Sequence, residues 1–229
     1  GRLRIAVKWI PDGVFSAYAL GSLEPGDELD VMTPAGRFTP KLDPAQARHY
    51  AAVAAGSGIT PVMSIVSAVL ETEPASRVTL LYGNRTSRSV MFLDELNDLK
   101  DRYPDRFLLV HVLSREARDA ELLSGRLDRE RLGRFLDTLL PAESVDEWFL
   151  CGPYEMVTGA REVLSARGVD RAHVHAELFH VGELPKPKPT APVAAHSEIT
   201  AVLDGRTTMA TVEDPDETVL EAVLRVRSD

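Results

Sequence analysis

His49-Tyr50-Ala51-Ala52-Val53-Ala54-Ala55-Gly56-Ser57-Gly58-Ile59-Thr60-Pro61 is the stretch that decides the fold. The apolar run from Tyr50 to Ala55 has no polar residue to face water, so it predicts a strand buried on both sides. Two glycines then break the run, and apolar residues resume at helical spacing over 62–71. Strand, glycine turn and helix together form the opening unit of a nucleotide-type parallel sheet.

The same alternation follows three more times. Strands are expected at 77–82, 107–113 and 147–150, with helices at 89–102, 128–139 and 155–167, and a last strand at 172–177 closes the series. Such a sheet is covered on both faces and takes its ligands beyond the carboxyl ends of its strands. Function is therefore expected in the loops after Ala55, Tyr82, Leu113, Leu150 and Glu177.

Outward from this α/β unit the pattern changes. Leu3, Ile5 and Val7 alternate with polar or small residues, and Leu29 and Val31 follow the turn Glu24-Pro25-Gly26-Asp27, so 1–45 reads as the end of a small antiparallel β-barrel. The α/β domain is placed at 46–181. Prolines crowd 182–197, which reads as an extended linker. A hairpin (199–203 and 207–212, turning at Asp204-Gly205) and a helix at 218–226 then form a partial α+β domain over 198–229. About thirty residues are few for a stable domain, and the chain opens on a strand without Met, so both ends are expected to be truncated.

The formal charge is −9 over 229 residues, which argues against a nucleic-acid partner because no basic face is broad enough to displace counterions. No apolar stretch reaches the roughly 18 residues of a membrane span. A single cysteine, Cys151, excludes an intrachain disulfide, and a cytoplasmic location is expected.

Several residues carry candidate chemistry. The turn Gly56-Ser57-Gly58-Ile59-Thr60-Pro61 lets backbone approach a pyrophosphate at a helix N-terminus, with Thr60 offering a hydroxyl. Such a turn serves equally to pack a helix tightly on a sheet, and its spacing departs from GxGxxG. Asn84, Arg85, Ser87 and Arg88 lie where the adenosine ribose should arrive; two guanidiniums there suit a 2′-phosphate and favour NADPH over NADH, or else are solvated surface charges. Cys151-Gly152-Pro153 puts a thiol at a strand tip, where it serves as a core residue or sits beside the substrate. His173, His175 and Glu177 share one face of a strand, but a lone strand rarely supplies a full metal ligand set, and no metal site is assigned.

Gly56 to Pro61, Phe149-Leu150-Cys151-Gly152-Pro153 and Glu177-Leu178-Phe179 occur in this order, as in the ferredoxin–NADP reductase superfamily, which the chain resembles over residues 1 to 180. Upstream, Ala6-Val7-Lys8 and Gly13-Val14-Phe15-Ser16 look like flavin-contacting segments of that family's FAD barrel, followed by Pro34-x-Gly36-x-Phe38. Tyr82 to Ser89, Leu113-Ser114-Arg115-Glu116 and Leu123 to Asp128 look most like the subfamily of reductase subunits of phenylacetyl-CoA epoxidase.

The resemblance implies a flavoprotein oxidoreductase that takes electrons from NADPH or NADH onto FAD and passes them through a 2Fe-2S cluster to an oxygenase component. It implies Cys151 beside the nicotinamide, Glu177 near the flavin edge and Phe179 flanking the flavin ring, with Gly152 and Pro153 in the cofactor-binding set. The cluster's four cysteines would follow a helix like 218–226; no cysteine follows Cys151, so they lie outside this segment. The family's Arg-x-Tyr-Ser flavin motif would precede Gly1. Competing readings are a flavin reductase without the ferredoxin extension, a non-catalytic nucleotide-binding module, and a metal hydrolase built on His173, His175 and Glu177.

Overall fold

The computed structural model describes residues 4–33, 35–179, 197–203, 206–212 and 219–226. The chain divides into two compact units, Gly1–Leu184 and Pro185–Asp229. In the first, β1 (His49–Ala55), β2 (Arg77–Asn84), β3 (Phe107–Leu113), β4 (Glu147–Gly152) and β5 (Val174–Leu178) form a parallel sheet in the order β3-β2-β1-β4-β5. Helices α2 (Ile59–Thr72), α3 (Leu93–Arg102), α4 (Arg129–Thr138) and α5 (Tyr154–Ala166) connect the strands, and α1 (Val14–Gly21) precedes them all.

The two-residue period of β1 explains the layering. Tyr50, Ala52 and Ala54 join one core with Val62, Val66 and Val69 of α2 and Leu96 and Leu99 of α3. Ala51 and Val53 join the opposite core with Leu132, Phe135 and Leu136 of α4 and Val157, Ala160 and Leu164 of α5. Burying each large apolar side chain is worth about 1.5–3 kcal/mol, so both faces of the central strand are strongly specified. Winding reverses between β1 and β4, which makes their carboxyl ends the switch point where such sheets open a crevice.

The sheet follows the expected alternation, with differences at element ends. The helix expected from residue 89 starts at Leu93, because Thr86 and Ser89 close a separate capped turn and Phe92 adopts a left-handed φ of 58°. Strands β2 and β4 run two residues further than expected, since Gly83 and Gly152 remain in register with Ala55 and Leu178. Asp128 caps α4 by accepting the Arg131 N–H at 3.0 Å.

The strands expected at 3–7 and 29–31 are a correction: residues 4–33 contain α1 but no strand, and Leu3 and Pro34 lie outside the described residues. Ile5 and Val31 are 74% and 79% exposed. A strand exists by pairing, and alternation alone supplies no partner for its amides. The turn at Glu24 to Asp27 does form, with the Asp27 N–H on the Glu24 carbonyl at 3.1 Å.

The second unit contains an antiparallel hairpin, β6 (Ser197–Leu203) and β7 (Arg206–Val212), and helix α6 (Val219–Val226), with Ala210, Val212 and Ala222 in its core. The expected linker up to residue 196 and the turn at Asp204-Gly205 lie outside the described residues. No helix among the described residues is long and apolar enough to cross a membrane.

At the amino ends of the strands, two buried ionisable groups find partners. The Glu73 carboxylate, 0% exposed, accepts from the Asp43 N–H (3.0 Å), the Tyr50 hydroxyl (3.0 and 3.1 Å) and the Ser76 hydroxyl (2.7 Å). His49 places Nδ1 on the Ser144 carbonyl at 2.8 Å and Nε2 on the Thr79 hydroxyl at 2.9 Å. Burial, more than any neighbouring charge, lowers the His49 pKa from 6.5.

In the unfolded chain His49 takes a proton near 6.5, and in the folded chain only at lower pH. The unfolded state therefore binds more protons in that window, so stability is full above it and is lost as pH falls through it. Urea midpoints are expected to drop more between pH 7.5 and 5.5 for the wild type than for His49→Gln. Equal drops would refute this account.

Candidate functional site

β1 ends at Ala55, and the chain turns through Gly56-Ser57-Gly58 into α2. Gly56 has a φ of +55°, a conformation glycine adopts without steric cost. A Cβ on Gly58 would lie 2.2 Å from the Cys151 carbonyl oxygen and 2.5 Å from its carbon. Only glycine lets the tips of β1 and β4 meet this closely.

Two hydroxyls shape the same turn. Tyr82, buried on β2, donates to the Gly56 carbonyl at 2.9 Å and accepts the Met91 N–H at 3.3 Å; burial pushes its pKa up to about 12. Thr60 donates to the Ser57 carbonyl at 3.0 Å, so its hydroxyl closes the turn. No side chain caps α2; the Ile59 N–H donates to the carbonyls of Gly56 and Ser57, so the glycine turn continues into the helix and the positive pole of α2 lies at this tip. Pro61 fits that first turn because its missing N–H would be an orphan there.

A positive charge faces the turn. A Cβ on Gly56 would meet Lys8 Nζ at 2.9 Å, so the ammonium lies over the glycine although the residue as a whole is solvent-exposed. Burial of its amine end lowers the Lys8 pKa, and the nearby Arg85 charge lowers it further. Among the described residues no carboxylate pairs with Lys8. An ammonium and a helix N-terminus thus meet at this turn, with the Arg85 charge felt by Lys8, an arrangement that favours an anion.

Asn84 ends β2 at 8% exposure; its side chain bears on the Tyr82 hydroxyl and opposes the rise in that group's pKa, but its Nδ2 meets no partner at hydrogen-bond distance. Arg85, Ser87 and Arg88 follow on an exposed loop. The Ser87 N–H and hydroxyl both donate to Glu116 Oε2, at 2.8 and 3.0 Å, which holds the Glu116 carboxyl below its usual range. Two backbone bonds zip the loops together: Ser114 N–H to the Asn84 carbonyl (2.9 Å) and Arg115 N–H to the Arg85 carbonyl (2.8 Å). Sequence reasoning chose the arginines and missed Glu116 as a partner of Ser87; its place after the third strand was the available signal.

Cys151 is 0% exposed, and burial, with a smaller push from Glu177, raises its thiol pKa to about 12. Glu177 is its register partner on β5. The Phe179 N–H donates to the Gly152 carbonyl at 3.0 Å, and the ring packs against the core that contains Cys151. Pro153 precedes α5 with a φ of −58°. Cys151, Glu177 and Phe179 therefore share the sheet end that carries the glycine turn.

Of the expected flavin segments, Lys8 reaches the strand tips. Gly13 to Ser16 open α1, and Ser16 turns back onto its own loop, accepting the Ile10 N–H at 3.2 Å, while Phe15 is 51% exposed. The metal set His173, His175 and Glu177 is not assembled. His173 Nδ1 and His175 Nε2 engage the two oxygens of Glu147 at 3.3 and 2.8 Å, while Glu177 lies toward the opposite end of β5 beside Cys151.

Two outcomes follow from this packing. Gly58→Ala forces the strand tips apart and is expected to cost about 1–3 kcal/mol, read as a lower denaturant midpoint; an unchanged midpoint would show that the tips yield freely. Folded protein at pH 8 should leave Cys151 unalkylated by iodoacetamide, since the thiolate is the nucleophile. Labelling as fast as in urea would contradict its buried, neutral state.

Residues 52–162 match the family described as Oxidoreductase NAD-binding domain. A subunit of 1,2-phenylacetyl-CoA epoxidase from Escherichia coli (strain K12) is 39% identical over 229 residues, which are 100% of this chain and 64% of that protein. The ferredoxin reductase component of 3-ketosteroid-9-alpha-monooxygenase from Rhodococcus rhodochrous is 37% identical over 178 residues, 77% of this chain and 46% of that one. The chain thus spans about half to two thirds of the length of these relatives. Among solved structures, the flavohem-like FAD/NAD binding domain of nitric oxide dioxygenase from Vibrio cholerae O1 biovar El Tor aligns with a TM-score of 0.63 and 27% identity, covering 74% of this chain and 65% of that one. With the β3-β2-β1-β4-β5 sheet and its glycine-lined switch point, these likenesses mark residues 52–162 as an oxidoreductase NAD-binding domain of the ferredoxin–NADP reductase type.

Proposed function

We propose that the protein is a reductase that takes hydride from NADPH or NADH onto FAD and passes electrons through a 2Fe-2S cluster to the oxygenase component of a multicomponent monooxygenase. The observation that carries this reading is the meeting of the Lys8 ammonium and the α2 N-terminus at the Gly56–Gly58 turn, directly beside Cys151. The cradle fits a dinucleotide pyrophosphate: backbone is open where a Cβ would block approach, and positive charge there lacks an internal partner among the described residues.

In this reading Gly56, Ser57, Gly58, Thr60 and Pro61 shape the pyrophosphate site, and Lys8 neutralises its charge. Asn84, Arg85, Ser87 and Arg88 meet the adenosine ribose, with the guanidiniums available to a 2′-phosphate. Cys151 and Gly152 form the wall along which the nicotinamide lies. Because its thiol is neutral and buried, Cys151 does not attack the ring; it fixes the strand tip that the ring meets. Phe179 and Glu177 border the same cleft, where they exclude water and hold a carboxylate at its edge.

A bound flavin supplies the hydride acceptor and the one-electron outlet. Hydride transfer requires the reacting atoms within about 3–3.5 Å in an aligned pose, so the contribution of this chain is position. Ala6, Val7, Gly13, Val14, Phe15 and Ser16 are assigned to the flavin from the family pattern, in an FAD domain over 1–45 that precedes the NAD(P) domain at 46–181. The linker at 182–197 and the ferredoxin-like part at 198–229 complete the arrangement, with the cluster cysteines outside this segment. A cytoplasmic setting suits the single reduced thiol.

For the oxygenase, the epoxidase of phenylacetate degradation is the reading that the likeness to the Escherichia coli protein supports, since it extends over the whole chain. A second reading, the reductase of a ring- or steroid-hydroxylating oxygenase, is favoured by the likeness to the Rhodococcus component, which covers 77% of the chain.

The decisive experiment supplies FAD and an artificial electron acceptor to the complete polypeptide and follows NADPH and NADH oxidation; absence of oxidation with both would end the proposal. Arg85→Ala and Arg88→Ala should each raise the KM for NADPH several-fold more than that for NADH, and equal effects would remove the phosphate role. Cys151→Ala should slow flavin reduction in stopped flow more than it weakens nucleotide binding; an unchanged hydride rate would exclude the positioning role.

A further inference from the structure

We propose that Arg4 is a positioning residue for the anion site: it ties residues 4–8 to the start of α3, so that the Lys8 ammonium stays over the Gly56 turn. This rests on the nucleotide reading above. It starts from what holds Lys8 in place. Residues 4–10 contain neither helix nor strand, so no ladder of backbone bonds fixes them. Yet Lys8 Nζ lies 2.9 Å from the point that a Cβ on Gly56 would occupy.

The segment is fixed at its two ends instead. At one end the Arg4 guanidinium donates to Glu95 Oε1 at 2.5 Å and stands 5.1 Å from the centre of the Phe92 ring. At the other, the Ile10 N–H donates to the Ser16 hydroxyl at 3.2 Å, and the Ile10 carbonyl accepts the Gly13 N–H at 3.1 Å. Four residues reach at most about 14 Å, so an anchor at Arg4 restricts where Lys8 can lie. The anchor point is well defined: Phe92 holds a φ of 58°, rare outside glycine, and packs against the core that contains Tyr82 and Leu96. With side-chain exposures of 68% and 35%, the Arg4–Glu95 pair adds little to stability. A planar guanidinium that meets a ring and a carboxylate at once fixes direction instead. Its effect is therefore on the place of Lys8, not on the folding of the sheet.

A double-mutant cycle separates these roles. The readout is calorimetric titration of the full 229-residue chain with ADP-ribose, which carries the pyrophosphate without the nicotinamide. Lys8→Ala should lower affinity about tenfold and Arg4→Ala about threefold, with the urea midpoint of Arg4→Ala unchanged. In the Lys8→Ala background, Arg4→Ala should change affinity less than about 1.5-fold, because it acts only through the ammonium. Glu95→Gln, which leaves Arg4 in place but removes its ionic partner, should weaken binding in the same direction, and both losses should shrink in high salt. Losses that multiply in the double variant, or an Arg4→Ala or Lys8→Ala variant that binds like the wild type, overturn the role of Arg4 and leave the nucleotide site standing. If ADP-ribose does not bind the wild type, the nucleotide reading fails and this inference falls with it.

Discussion

The backbone contact between Gly58 and Cys151 is the constraint on which the rest of this molecule depends. β1 and β4 are neighbours that diverge in winding direction, so their tips would normally splay to make room for the helices that leave them. Here Gly58, the residue before α2, sits directly against the carbonyl of Cys151, with no side chain between. That closeness aims the α2 N-terminus at the crevice and brings the end of β4 beside the glycine turn. Tyr82 holds the turn from below through the Gly56 carbonyl, and Thr60 holds it from within.

The two ends of the sheet treat their charged and strongly polar groups differently. At the amino ends, a buried carboxylate on Glu73 and a buried imidazole on His49 both find partners, and Arg106 donates to the carbonyls of Leu70, Glu73 and Ser76. At the carboxyl ends, Asn84 Nδ2 is buried without a partner and the Lys8 ammonium faces no carboxylate among the described residues. An unmet buried donor costs about 1–3 kcal/mol, and like charges in proximity add to the cost. Trp148 Nε1, near the start of β4, is likewise buried without a partner, so the contrast between the two ends holds for their charged groups.

The sheet was legible because its strands are buried on both faces. Tyr50 to Ala55 has no polar residue to confuse the period, and Asp128 marks the start of α4 as a cap should. What escaped the sequence depends on partners remote along the chain. Ile5 and Val31 alternate as strand residues do, yet strand formation requires a second chain segment that alternation cannot reveal. Leu93 begins α3 because Thr86 and Ser89 satisfy each other first, a local competition hidden in a run of helix-compatible residues. At the site, the glycine turn, Arg85, Cys151 and Glu177 were visible as strand-tip residues. Lys8 was visible only through family pattern, and of the pairing of Glu116 with Ser87 across 29 positions only the place of Glu116 after the third strand was visible.

Net charge and local charge point in opposite directions here. The whole chain carries −9, which would repel a dinucleotide bearing two or more negative charges at long range. Over distances beyond about 8 Å, physiological salt screens that repulsion. Within that distance the Lys8 ammonium lies over Gly56 at the tip where α2 begins, so the switch point presents positive charge although the chain as a whole does not. Under the proposed function an anionic ligand would be drawn by this tip rather than by the net charge, and its affinity would depend on the same glycine packing that holds the tips of β1 and β4 together.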